Sequence, residues 1–103
     1  MHLVKKIEII ANSFELAKIL ESLDKSGVHG HAVIRGVSGR GLRGTAEDLD
    51  MTMLDNVYIL AFCMPDQLKP VVENLRPLLN KFGGTCYISD VMEIRSMKCV
   101  ASL

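Results

Sequence analysis

Between Arg35 and Asn56 the chain sets Gly36, Gly39, Gly41 and Gly44 among Arg35, Arg40 and Arg43, then turns acidic at Glu47, Asp48, Asp50 and Asp55. Glycine lets main-chain N–H groups approach an anion closely, and arginine offers a planar fork of donors that fits phosphate oxygens. The combination predicts an anion cradle at the stem of a loop with an acidic tip; the alternative is a polar surface loop whose guanidinium groups are merely solvated. Gly39-Arg40-Gly41-Leu42-Arg43-Gly44 also spells the dinucleotide fingerprint G-x-G-x-x-G. That fingerprint needs a helix opening on its last glycines within a parallel βαβ unit. Here Thr45 to Asp55 is short and acidic and leads to a strand, which argues against a Rossmann site. No Gly-Lys-Ser/Thr supplies a P-loop, and the companion motifs of a kinase glycine loop are missing.

Other chemistry-bearing residues are sparse. His29 and His31, with Cys86 or Cys99 as further ligands, are the material for a metal site, yet zinc sites carry several close-spaced Cys/His pairs and this chain has one. Ordinary histidines at a strand edge are the simpler reading. Met51, Met53 and Met64 read as packing or adaptable contact residues. Asp90 and Glu93 fall in the last apolar stretch without a close carboxylate partner, so acid–base catalysis finds no support and the chain does not read as an enzyme.

Composition narrows the classes further. At 103 residues the chain fits one domain, and 49% apolar residues oppose disorder. Twelve basic and twelve acidic side chains give a formal net charge of zero, so neither nucleic acid nor an anionic membrane surface is the expected partner. No apolar run is long enough for a signal peptide or a membrane span, and Cys63, Cys86 and Cys99 are odd in number and widely spaced. The expectation is a cytoplasmic protein with reduced thiols and no direct membrane insertion.

The elements that must position these residues follow from periodicity. Val4 to Ile10 predicts a strand; Asn12 followed by Glu15 predicts a capped helix from about Ser13 to Ser26, closed by Gly27. His31 to Val37 is a second strand. Val57 to Met64 is apolar throughout and predicts a third strand covered on both faces. Asp66 is the expected cap of a second helix carrying Leu68, Val71, Val72, Leu75, Leu79 and Phe82 on one stripe, kinked at Pro77 and closed by Gly83-Gly84. Thr85 to Ile94 is the last strand, and Ser96 to Leu103 is weakly patterned. The order βαββαβ predicts a ferredoxin-like α+β sandwich, a four-stranded antiparallel sheet with two helices on one face. RNA-recognition domains share that order, but no Arg-Gly-aromatic run accompanies Tyr58 and Phe62. One face of the third strand meets the helices. The other, holding either Tyr58, Leu60 and Phe62 or Val57, Ile59 and Cys63, needs another subunit, so homo-oligomerisation is expected.

Over nearly its whole length the chain resembles PII-type signalling proteins, most closely the PII-like branch associated with bicarbonate uptake and carboxysomes. Gly27-Val28-His29-Gly30 resembles that family's Gly-x-x-Gly before the second strand, and Ser38-Gly39-Arg40-Gly41-Leu42-Arg43 its glycine-rich, basic stem of the T-loop. Phe82-Gly83-Gly84-Thr85 resembles the B-loop, and Asp90-Val91 with Arg95 and Lys98 the last strand and its basic exit.

The resemblance implies one domain over residues 1–103, with a T-loop at about 38–56, a B-loop at about 82–85 and a tail at 96–103. It implies a homotrimer with an adenine nucleotide (ATP, ADP, AMP or cyclic AMP) in each cleft between subunits. By position, Gly39, Arg40, Gly41 and Arg43 correspond to phosphate contacts, Gly83, Gly84 and Thr85 to the B-loop contribution, Cys63 and Met64 to the adenine side, and Arg95 or Lys98 to a phosphate contact from the tail. The implied role is non-catalytic: a sensor that regulates a target protein through its T-loop, a membrane transporter being one such target. Gly41 stands where nitrogen-regulatory members carry a glutamine tied to 2-oxoglutarate, and no tyrosine is present in the loop for uridylylation. A CutA-like trimeric metal-binding protein is the alternative, in which His29, His31 and the cysteines matter instead.

Overall fold

The structure, a computed structural model, describes residues 1–38 and 55–97. Six elements follow in the expected order: β1 (His2–Asn12), α1 (Leu16–Lys25), β2 (His31–Val37), β3 (Asn56–Cys63), α2 (Leu68–Phe82) and β4 (Thr85–Glu93). The strands form one sheet in the order β2-β3-β1-β4, every neighbouring pair antiparallel. This is the ferredoxin-like α+β sandwich that the periodicity predicts.

Strand parity divides the sheet into two unlike faces. Ile7, Ile9 and Ala11 of β1 and Val57, Ile59, Ala61 and Cys63 of β3 are buried in one cluster with Leu16, Ile19 and Leu23 of α1 and Val71 and Leu75 of α2. Each fully buried aliphatic side chain there contributes roughly 1.5–3 kcal/mol of transfer free energy. The sequence left open which half of β3 meets the helices. The helix side takes Val57, Ile59, Ala61 and Cys63, while Tyr58, Leu60 and Phe62 are only partly covered.

Helix ends depart from expectation in instructive ways. Asn12 caps as predicted, its Oδ1 accepting the Phe14 N–H at 2.9 Å, but Ser13–Glu15 is a 3-10 turn and the α-helix starts only at Leu16. Gly27 closes α1 at φ 86°, its N–H donating to the Asp24 carbonyl at 3.0 Å. Asp66 is not the cap of α2. It lies inside the 3-10 turn Pro65–Gln67, and the Gln67 Oε1 accepts the Met64 N–H at 2.8 Å. The Gln67 amide also donates to the Gly27 carbonyl at 3.1 Å, so this side chain joins the entry of α2 to the exit of α1. Helix α2 continues through Pro77. Proline there leaves the Glu73 carbonyl without its usual donor, which is tolerable because Glu73 and Pro77 are both exposed to water.

Candidate functional site

The glycine-arginine stem is anchored at one end of the sheet. Strand β2 ends with Val37 beside Asn56, and Asn56 pairs in turn with Asn12. Gly36, at φ 71°, sits in a bulge between Arg35 and Val37. A glycine suits that conformation and re-aims the chain as it leaves the sheet. On the return side the Ser13 N–H donates to the Asp55 carbonyl at 2.6 Å. Gly39, Arg40, Gly41 and Arg43 themselves lie outside the described residues, as does Lys98.

The B-loop glycines occupy this same end. Gly83 has φ 84° and ψ −177°, and Gly84 has φ 108°. An added Cβ on Gly84 would fall 2.9 Å from the Ile10 carbonyl oxygen and 3.3 Å from Ala11 Cβ. Gly84 is therefore fixed twice, by its backbone conformation and by its approach to β1. Thr85 follows, opposite Ile10 in the ladder, with its Oγ1 buried and lacking a hydrogen-bond partner. Between α2 and β4 runs a cleft of about 390 Å³, walled by Val71, Leu75, Leu79 and Cys86 with Arg76 and Asn80 at its polar side. Burial pushes the Cys86 thiol up to about 11, so this sulfur is a protonated wall of the cleft and no nucleophile at neutral pH.

Cys63, Met64 and Arg95 occupy the opposite end. Cys63 is buried and lies across from Lys5, which is itself across from Asp90. Burial raises its thiol pKa, with the Lys5 ammonium lowering it and Asp66 raising it by lesser amounts. Lys5 Nζ contacts Asp90 Oδ1 at 2.5 Å. Met64 is exposed and gives its N–H to Gln67. Arg95 lies past the end of β4 with its Nε on Glu93 Oε1. Thr85 stands opposite Ile10 of β1 and Cys63 opposite Lys5, five residues apart on one strand, which is about 17 Å. Within a single chain, then, the B-loop and the loop stem share one end of the sheet, at β4 and at the β2–β3 edge, while Cys63, Met64 and Arg95 lie at the other end.

Sequence reasoning missed a polar network on the open face. The Tyr58 hydroxyl donates to Glu8 Oε2 at 2.7 Å, and Lys6 Nζ lies 3.4 Å from Glu8 Oε1. The Tyr58 hydroxyl, ahead of Lys6, holds the Glu8 carboxyl below its ordinary value against an opposing effect of burial, and Glu8 in turn raises the Tyr58 phenol. The only hint was the alternation of Lys6 and Glu8 with apolar neighbours. The paired histidines are also corrected: His29 precedes β2, its Nδ1 lying 2.5 Å from Asp24 Oδ1, while His31 opens the strand. Among the described residues no group of three or more His, Cys, Asp or Glu converges as a metal would require.

Comparisons with known proteins agree with this architecture. The family described as Nitrogen regulatory protein P-II matches residues 4–98. CPII, a PII-like protein of Thiomonas intermedia K12, was solved bound to ADP and bicarbonate; the two chains are 26% identical over 87% of each, with a TM-score of 0.73. The same protein bound to ADP, AMP and acetate gives 24% identity over 91% of each chain and a TM-score of 0.77. Its apo form gives 22% identity over 87% of this chain and 90% of that one, with a TM-score of 0.73. No curated protein matches the chain. The CutA-like alternative gains no support from these matches or from the donor geometry of the described residues. No helix among the described residues is long and apolar enough to cross a membrane. A family match spanning 4–98, on a sheet of this order with glycines at both loop stems, makes the chain a member of the nitrogen regulatory protein P-II family.

Proposed function

We propose that this chain is a non-catalytic cytoplasmic regulator that assembles as a homotrimer, binds an adenine nucleotide at the seam between neighbouring copies, and presents residues 38–56 to a target protein. The observation that carries this reading is the separation of the candidate residues. Gly83, Gly84, Thr85 and the loop stem lie at one end of the sheet and Cys63, Met64 and Arg95 at the other. Two copies placed head to tail unite the halves. The open face of the sheet, with Ile34 58% and Tyr87 55% exposed beside Leu60 and Phe62, offers the apolar surface for that contact.

Adenine nucleotide is the ligand class because CPII, 26% identical, was solved with ADP. The B-loop carries no lysine, so AMP, ADP and cyclic AMP stand beside ATP, and bicarbonate is a candidate co-ligand. In this mechanism Arg40 and Arg43 grip the phosphates and thereby favour one arrangement of the loop. The target, a membrane transporter being the class to try first, reads the nucleotide by binding that arrangement better, since a ligand shifts a balance only by its differential affinity for the states.

Titration calorimetry with AMP, ADP, ATP and cyclic AMP, each with and without magnesium and bicarbonate, tests the proposal. Replacing Arg40 and Arg43 together by alanine is expected to weaken the preferred nucleotide about a hundredfold, the scale of two lost charged contacts. Unchanged affinity in that double variant, or a wild-type protein that binds none of the four, overturns it.

A further inference from the structure

The apolar open face carries two charges at its centre. In register, Glu8 of β1 lies between Leu60 of β3 and Tyr87 of β4, and Lys6 lies between Phe62 and Ser89. Both side chains are about a third exposed. A carboxylate and an ammonium in the middle of a surface that another subunit covers would oppose assembly if left unpaired. They are not unpaired. Tyr58 donates to one Glu8 oxygen and Lys6 approaches the other, all three residues belonging to one chain. The carboxylate can thus leave water without help from a foreign cation.

We infer that the Lys6–Glu8–Tyr58 network is the element that fixes how copies of this chain pack on the open sheet face. The inference rests on the assembly proposed above and adds what sets its geometry. The occupant is a second copy for two reasons. The half-sites at opposite ends of the sheet are completed only by another copy, and the internally neutralised network asks no counter-charge of the surface that covers it. An ammonium has three donors, however, and an ion pair with one Glu8 oxygen at 3.4 Å leaves at least two of them open. The remaining Lys6 donors restrict the neighbouring copy to placements that bring an acceptor over Lys6, whereas a purely apolar face would tolerate sliding. A polar group buried within an apolar contact setting register and oligomer number is the best attested role for such groups.

Native mass spectrometry and light scattering over a concentration series test this on the full chain. Glu8→Ala strands Lys6 and Tyr58 and is expected to raise the dissociation constant of the assembly about a hundredfold or more. Replacing Lys6 and Glu8 together by leucine is expected to keep the chains associated but in more than one stoichiometry. Far-ultraviolet circular dichroism should show the helices intact in both, because neither residue belongs to the helix-side core. Should Glu8→Ala fail to fold, Tyr58→Phe removes a single oxygen, with a weakening of about three- to tenfold expected. Variants with the wild-type dissociation constant, or a double variant confined to the wild-type stoichiometry, overturn the inference alone. A wild-type chain that stays monomeric at every concentration overturns the proposed assembly along with it.

Discussion

The two faces of one sheet are built from the same β-rich vocabulary and are covered very differently. On β3, Ile59 is fully buried against the helices, while the next residue, Leu60, points the other way and is only partly covered. Along β1, Ile7 and Ile9 are fully buried, while Lys6 and Glu8 alternate with them on the open side. The helix-covered face holds the chain together; the open face carries apolar area beyond what the single chain uses, with its charges already neutralised. An apolar surface is a stability element on one side and, in the assembly proposed above, a contact surface on the other, and parity alone separates the two.

The comparison breaks most visibly if adjacent residues on β3 respond alike. Ile59→Ala is expected to cost about 2–5 kcal/mol in urea unfolding, the range for emptying a buried aliphatic site. Leu60→Ala, measured at concentrations where the chains are separate, should cost roughly 1 kcal/mol. Equal losses would mean that the open face is structural after all. Next in size is the B-loop. Gly83→Ala should cost about 1–3 kcal/mol from its glycine-only conformation. Gly84→Ala should exceed it, because only there does the new methyl meet the Ile10 carbonyl; thermal melts of the two variants give the order. Asn12→Ala, which uncaps the turn before α1, should cost about 0.5–2 kcal/mol in the same melts.

The smallest effect concerns pH. The folded Glu8 pKa lies below its ordinary 4.5, so the ionised carboxylate adds stability above that value, and the gain is lost as pH falls through the folded-state pKa. Tyr58 is raised above its ordinary 10.0, so its contribution is present below pH 10.0 and is lost as pH rises through the folded value. Glu8→Gln should flatten both limbs of the stability–pH profile. A profile identical to wild type would show that the network contributes nothing to the single chain.

Local signals in the sequence were informative wherever the interacting residues are neighbours. Element order, the Asn12 cap, the Gly27 stop and the two glycines after Phe82 all follow from periodicity and backbone freedom within a few residues. What was not legible depends on distant partners. The choice between Tyr58 and Ile59 as the inward side requires knowing where the helices lie. The Tyr58–Glu8 bond spans fifty residues of chain, and no local pattern marks it. Asp66 looked like the cap because acidic residues commonly are, yet Gln67 has the reach to serve both Met64 and Gly27. His29 and His31 looked like a pair until the first turned to Asp24.

The placement of candidate residues at both extremities of the sheet has a consequence for mixtures. In the closed head-to-tail ring proposed above, each pocket would borrow its two walls from different chains. A chain defective only around Gly84 and another defective only around Cys63 are each inert when alone, since every pocket then contains a broken wall. Blended, some pockets draw both sound walls, so two inactive preparations regain a share of their binding on mixing, as hybrid rings do and solitary chains never can.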